Sequence, residues 1–462
     1  MALGAMWNIK KGKAPAAEPE TEVQAEVPAV IAPAAPSADS RHLDLKVSIH
    51  RSLLDKINLS ALEQLSRQQI ELEVKDIVHE ILDEQREVLN SRERQELITE
   101  VLDELLGLGP LEPLLKDESI TDILVNGPSV VFVERKGLLE RVQTRFQDDK
   151  HLLRIIQKIV SGVGRRIDES SPYVDARLPD GSRVNAIIAP LAIDGASLSI
   201  RKFAKQRIGM AKLIEFGAVS PAMATVMEAI ALSRRNVLIS GGTGSGKTTM
   251  LNAMSSFIDH RERIVTIEDS AELQLQQEHV VRLETRPPNL EGKGEVSQRD
   301  LVKNALRMRP DRIIIGEVRS GEAFDMLQAM NTGHDGSMTT VHANSPRDAL
   351  SRLEQMIGMS GIEISPRAAR SQIASAIDVV LQVARMVDGK RRLISLSEVT
   401  GMEGETITMQ EIYRFKVTGR DTDGTVLGYF EATGIRPKLL SHTAEFGIEL
   451  SAELFRPGAG QN

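Results

Sequence analysis

The sequence predicts an α/β protein whose main sheet is parallel and covered by helices on both faces, preceded by an α+β domain and a small helical bundle. Three observations carry this. Beyond about residue 217, short β-branched apolar runs alternate with helix-period segments through about residue 387, the pattern of successive βαβ units. One such run, Asn236-Val237-Leu238-Ile239-Ser240, leads directly into Gly241-Gly242-Thr243-Gly244-Ser245-Gly246-Lys247-Thr248 and then into a helical segment, the context a phosphate-binding loop requires. Upstream, residues 43–106 show apolar spacing near 3.6, and residues 110–216 mix short alternating runs with one helix.

Taken in order, residues 13–40 are dominated by Ala, Pro, Glu and Val with no aromatic residue and no period, so a disordered leader is expected over 1–41. A helical bundle is expected over 42–109. Its clearest stripe is Leu97, Ile98, Val101, Leu102, Leu105 and Leu106, with Ser91 as N-cap and Gly107 as stop. It serves either as a packing spacer or as a surface for a specific partner. In the α+β domain, 110–216, strands are expected at 120–125, 130–134 and 138–142, punctuated by Asn126-Gly127 and Lys136-Gly137. An amphipathic helix at 151–160 follows, then strands at 174–178, 183–189 and 197–203. After a linker around 216–221, Ser220-Pro221 opens a helix in the favoured cap and first-turn positions. The sheet domain is expected over 217–445, with strand-like runs past Arg391 such as 407–415, and a flexible tail over 446–462.

Composition narrows the class. At 462 residues with 41% hydrophobic content, the chain has material for two to four globular domains. No stretch approaches the roughly 18–20 apolar residues of a membrane span, and no secretory pattern opens the chain, so a cytoplasmic protein with at most peripheral membrane association is expected. The absence of cysteine excludes disulfides, thiolate metal sites and Cys nucleophiles. A net charge of −8 argues against a dedicated nucleic-acid binder.

The chemistry starts at the loop. Its glycines let backbone N–H groups turn around a polyphosphate, the following helix N-terminus adds positive potential, Lys247 supplies a point charge and the Thr248 hydroxyl is a magnesium ligand. The expected nucleotide-binding residues are Gly242, Thr243, Gly244, Ser245, Gly246, Lys247, Thr248 and Thr249, with a nucleoside triphosphate as ligand. Hydrolysis also needs acids at strand ends. The run 263–267 delivers Glu268 and Asp269, and the run 312–316 delivers Glu317. For each alone the lesser alternative is a surface acid capping the next helix; two such acids beside a phosphate loop weigh further against that. His334 and His342 flank a strand-like run at 336–341 and stay open between structural and catalytic roles, with no second ligand at helical spacing to suggest a metal site.

Four stretches in this order, GGTGSGKT (241–248), IVTIEDSAEL (264–273), RPDRIIIGEVR (309–319) and TGHDGSMTTVHANSP (332–346), resemble the Walker A, Asp box, Walker B and His box of the hexameric ATPases of type II and type IV secretion and type IV pilus assembly. The segment LGLGPLEPLLKDESITDILVNG (106–127) resembles the CpaF branch, the motor of Tad or Flp pili, and the likeness covers roughly 42–445. The resemblance implies a RecA-like P-loop ATPase domain using ATP and Mg2+. Lys247 and Thr248 would hold phosphates and metal, Glu268 would polarise the attacking water, Glu317 would support the metal and water shell, and His342 would sense the γ-phosphate. It also implies that arginines of the preceding α+β domain reach the nucleotide; here Arg177, Arg183 and Arg201 stand in the similar strands, with solvated strand-face charge as the alternative for each. Gly316 stands where many such ATPases have a magnesium-binding Asp, which leaves metal ligation to Thr248 and water.

The same resemblance implies a homohexamer at the inner face of the inner membrane, acting on pilus or secretion platform proteins, with no nucleic-acid partner. Closure of one domain on the other around the γ-phosphate, with rotation absorbed near Gly217, would turn hydrolysis into movement. A nucleic-acid translocase and a non-hydrolytic nucleotide switch are the competing readings.

Overall fold

The computed structural model describes residues 45, 48–49, 52–53, 67–84, 89–135, 137–203, 208–288 and 293–458. The leader expected over 1–41 lies outside them, as does Lys136 of the second expected turn. The chain forms two compact units, one up to Leu102 and one from Asp103.

In the first unit, the helix Arg67–Glu84 buries Val74, Val78, Ile81 and Leu82, a single stripe at helical spacing. The helix Ser91–Leu106 buries Leu97, Ile98 and Val101. Its cap is Asn90 rather than the expected Ser91. The Asn90 side chain accepts from the N–H groups of Arg92 and Glu93 at 3.0 and 2.9 Å, and the Glu93 carboxylate returns to the Asn90 N–H at 2.9 Å. That reciprocal pair closes the first turn one residue earlier.

The second unit opens with an antiparallel sheet of β1 (Ile120–Asn126), β2 (Val131–Arg135), β3 (Leu138–Val142), β4 (Tyr173–Arg177), β5 (Arg183–Ile187) and β6 (Ser197–Arg201), in the order β3-β2-β1-β6-β5-β4. Its period-two pattern sends Ile123, Val125, Val184, Ala186, Leu198 and Ile200 into one core with Leu152, Ile155, Ile156 and Ile159 of the helix Asp149–Gly162. Asp148 caps that helix, accepting the His151 N–H at 2.7 Å. Alternation leaves Arg177, Arg183 and Arg201 on the other face. This lobe passes through the helix Met210–Glu215 and Gly217, at φ +65°, to the helix Pro221–Leu232, whose Ser220 cap accepts from Met223 N–H at 3.2 Å.

The larger sheet contains β7 (Val237–Gly241), β8 (Ile264–Glu268), β9 (Val280–Glu284), β10 (Arg312–Ile315), β11 (Met338–Val341), β12 (Val379–Arg385), β13 (Arg391–Glu403), β14 (Thr406–Arg420) and β15 (Val426–Ala432). Their order is β15-β14-β13-β12-β7-β11-β10-β8-β9, and the strands from β12 to β9 pair in parallel. Insertion of β11 between the phosphate-loop strand and the acid-bearing β10 is the RecA-like arrangement. These runs lack alternation because both faces are covered: Val237, Ile239, Ile264 and Ile314 enter one core, while Leu238, Val265, Ile313 and Ile315 enter the other.

Two features extend the expected picture. Past the parallel strands the sheet continues through the antiparallel β13, β14 and β15, of 13, 15 and 7 residues. Of the tail expected to be flexible over 446–462, residues 446–458 are described and are docked through Phe455, which is buried beside Tyr413 with ring centroids 6.3 Å apart, while the Tyr413 hydroxyl donates to the Leu454 carbonyl. The Gly/Pro composition that suggested a loose end describes backbone freedom. It is overridden by one aromatic side chain that gains from burial.

Candidate active site

The phosphate loop leaves β7 at Gly241 and enters the helix Lys247–Ser255. Gly244 and Gly246 hold φ of +68° and +97°, backbone that side-chain-bearing residues avoid. At Gly241 a Cβ would meet the Ser245 hydroxyl oxygen at 2.4 Å and the Val383 carbonyl at 2.5 Å, so the loop closes only on glycine. The Lys247 ammonium turns back onto the carbonyls of Gly241 and Gly242, at 3.1 and 3.2 Å. Burial lowers its pKa, and the charge of Glu317 works against that shift.

Glu268 ends β8 almost wholly buried, at 3% exposure. One carboxylate oxygen accepts the N–H groups of Glu272 and Leu273 at 2.7 and 2.8 Å; the other is buried without a partner. Burial pushes the carboxyl up to about 7, against the pull of those two N–H groups. At Gly316 a Cβ would lie 3.0 Å from the Glu268 Cγ, closer than side chains ordinarily pack. Glycine at this position therefore leaves room for the Glu268 side chain.

The raised carboxyl has a consequence for stability. Between its ordinary value of 4.5 and about 7, the folded chain holds a proton that the unfolded chain has released. Stability from this group is fully present below pH 4.5 and is lost by about 1.4 kcal/mol per pH unit as pH rises toward 7. Glu268→Gln is expected to remove that decline. Denaturation midpoints taken across this range check it, and an unchanged slope in the variant would absolve Glu268.

Asp269 and Glu317 stand at the ends of neighbouring strands, and Arg319 reaches both, at 3.2 and 2.8 Å. Thr340 of β11 donates its hydroxyl to the Gly316 carbonyl at 2.7 Å, bracing the turn that carries Glu317. The two histidines separate. His342 follows β11 and lines the cavity around the loop, whereas His334 precedes β11 and places its ring Nδ1 3.3 Å from the Ala329 carbonyl oxygen, outside that cavity.

A single cavity of about 650 Å³ brings together Gly242 through Thr249, Glu268, Glu317 and His342 with Arg183 and Arg201 of the antiparallel lobe. Arg183 also pairs with Glu272 at 3.1 Å and Arg201 with Asp122 at 3.1 Å. Arg177 is not in its lining. It grips Glu284 at 2.7 Å and the Ala271 carbonyl at 2.7 Å, because β4 is the edge strand beyond β5, and so it joins the two lobes instead. A smaller cavity of about 190 Å³, walled in part by Phe203 and Ile208, shares Arg183, Arg201, Thr248 and Thr249 with the first.

Sequence reasoning missed two further residues. Arg319 lies only two positions from Glu317, so its nearness was available as a signal. Arg391, the first residue of β13, donates to the Gly244 carbonyl at 2.8 Å and carries no local signal at all, since only the placement of β12 beside β7 brings it there.

The family described as type II/IV secretion system protein matches residues 104–422. A putative conjugal transfer protein of Mycobacterium tuberculosis H37Rv is 42% identical over 307 residues, covering 65% of this chain and 87% of that protein. The type IV secretion system protein VirB11 of Bartonella quintana is 29% identical over 328 residues, covering 63% of this chain and 92% of its own. Among solved structures, the VirB11 ATPase of Brucella suis in complex with sulphate is 28% identical with a TM-score of 0.34, covering 63% of this chain and 95% of its own.

Proposed function

The chain belongs to the type II/IV secretion system protein family, and on that premise we propose that it hydrolyses ATP as a homohexameric motor driving assembly of a Tad or Flp type pilus. The observation that carries the reading is the shared cavity: a glycine loop, two strand-end acids, a histidine and two arginines of the neighbouring lobe around one volume fit for a triphosphate. The amides of the loop, Lys247 and Thr248 bind the phosphates, and the smaller cavity offers Phe203 and Ile208 as walls for the base. Glu268, with an unpartnered oxygen and a carboxyl near neutral pH, takes the proton of the attacking water. Glu317 orders the water and metal shell, His342 answers to the γ-phosphate, and Arg183 and Arg201 neutralise charge from the antiparallel lobe as bidentate, always-charged groups.

The residues fit magnesium in the manner of phosphate-loop enzymes. Thr248 lines the cavity beside the loop and would be the protein's ligand to magnesium. Bound there, magnesium neutralises charge on the phosphate oxygens. Arginines on one lobe and the loop on the other make closure depend on the terminal phosphate, with rotation absorbed near Gly217, which holds φ +65° between the two lobes. No described helix is long and apolar enough to cross a membrane. The proposed place of work is the cytoplasmic face of the inner membrane, on platform proteins that add or remove pilin.

A second reading, a motor of DNA-transfer secretion, is favoured by the conjugal transfer names of the mycobacterial relative and of a Rhizobium radiobacter relative 33% identical over 297 residues. ATP turnover and mass in solution, with and without nucleotide and DNA, discriminate. We expect turnover, a nucleotide-dependent ring and indifference to DNA. Strong, salt-sensitive stimulation by DNA would favour a translocase, a monomer under all conditions would remove the ring, and tight ATP binding without turnover would leave only a switch.

A further inference from the structure

Resting on the hydrolytic reading above, we propose that Arg319 is a positioning residue, holding the carboxylates of Asp269 and Glu317 side by side so that Glu317 stays in the phosphate cavity. The two acids come from adjacent strands in register, Ile267 of β8 beside Ile315 of β10. Partial burial of Asp269 raises its pKa against the pull of Arg319, and the nearby charge of Glu322 adds to the rise. The guanidinium reaches both strand-end acids: Nη1 lies 3.2 Å from Asp269 and Nη2 lies 2.8 Å from Glu317. A planar fork with several fixed donors spans two acceptors in a way that an ammonium does not.

What surrounds Arg319 explains why a side chain is needed for this task. The backbone of the turn is already fixed residue by residue. Gly316 N–H donates to the Ile267 carbonyl at 2.9 Å and Val318 N–H to the Thr340 carbonyl at 3.0 Å. The N–H groups of Arg319 and Ser320 donate to the buried Glu322 carboxylate at 2.6 and 2.8 Å. With the main chain pinned, the direction of the Glu317 side chain is the variable left over, and Arg319 is the group that sets it. Its own side chain remains 56% exposed, so it is held by these charges rather than by packing.

The test uses the purified full chain, a fluorescent ATP analogue for Kd and steady-state ATP turnover for kcat. Wild-type turnover comes first; its absence overturns the hydrolytic reading itself, and the positioning role with it. Given turnover, Arg319→Gln is expected to lower kcat by about 10- to 100-fold while Kd changes by less than about threefold, and Arg319→Lys to recover part of the loss. A Kd that rises as far as kcat falls makes Arg319 a phosphate ligand and overturns the proposal, as does wild-type kcat in both variants. If circular dichroism shows Arg319→Gln unfolded, Arg319→Lys decides alone: lower kcat at unchanged Kd supports the role, and unchanged kcat overturns it.

Discussion

Lys247→Ala is expected to lower ATP turnover by about 100- to 1,000-fold and to weaken nucleotide binding with it. The ammonium sits at the start of the helix Lys247–Ser255, parked on two loop carbonyls at 3.1 and 3.2 Å, where incoming phosphate oxygens are stronger acceptors. The arginines that line the same cavity from other elements do not stand at this point of the loop: Arg183 pairs with Glu272, Arg201 with Asp122 and Arg319 with Glu317. Alanine leaves the positive-φ glycines and the buried face of the helix untouched, so the fold is retained. Turnover and analogue binding within about threefold of wild type would remove the phosphate assignment from this loop.

The second large effect lies at the opposite end of the parallel strands and concerns stability. Arg312, at the start of β10, is wholly buried and grips Glu262 through two bonds of 2.8 and 2.9 Å, with a third donor 3.3 Å from the Gly336 carbonyl. Gly336, at φ +82°, is the space it occupies, since a Cβ there would stand 2.5 Å from a guanidinium nitrogen. Glu262 also pairs with the more exposed Arg234 at 3.3 Å, so Glu262→Ala leaves the buried Arg312 cation with a carbonyl as acceptor and a second guanidinium nearby, and is expected to cost about 3–5 kcal/mol. Replacing both partners by apolar residues of similar volume is expected to return most of the loss, because the penalty belongs to the orphaned charge. Chemical denaturation of both variants checks this; a loss below about 1 kcal/mol for Glu262→Ala would show water reaching the site.

How far the sequence could be read follows from whether the signal is local. The phosphate loop, the acids at the ends of 263–267 and 312–316 and the hairpin signal at Asn126-Gly127 are each specified within a few residues, so they were visible before any tertiary information. The choice between Asn90 and Ser91 as cap was not, because both are good cap residues one position apart and only the hydrogen bonds select. Arg177, Arg183 and Arg201 share one sheet face by parity, yet which of them reaches the cavity depends on strand order, and the edge position of β4 sends Arg177 elsewhere. Arg391 needed the whole of β12 to be placed beside β7. Gly316 was noticed as a departure, but its reason, room for Glu268, is a contact between neighbouring strands that no single run encodes.

The stretch between β8 and β9 does two jobs at once. Its amides at Glu272 and Leu273 fasten Glu268, while its Ala271 carbonyl and Glu272 side chain are the points where Arg177 and Arg183 take hold. The antiparallel lobe and the buried Glu268 carboxylate are therefore joined through two or three residues of chain.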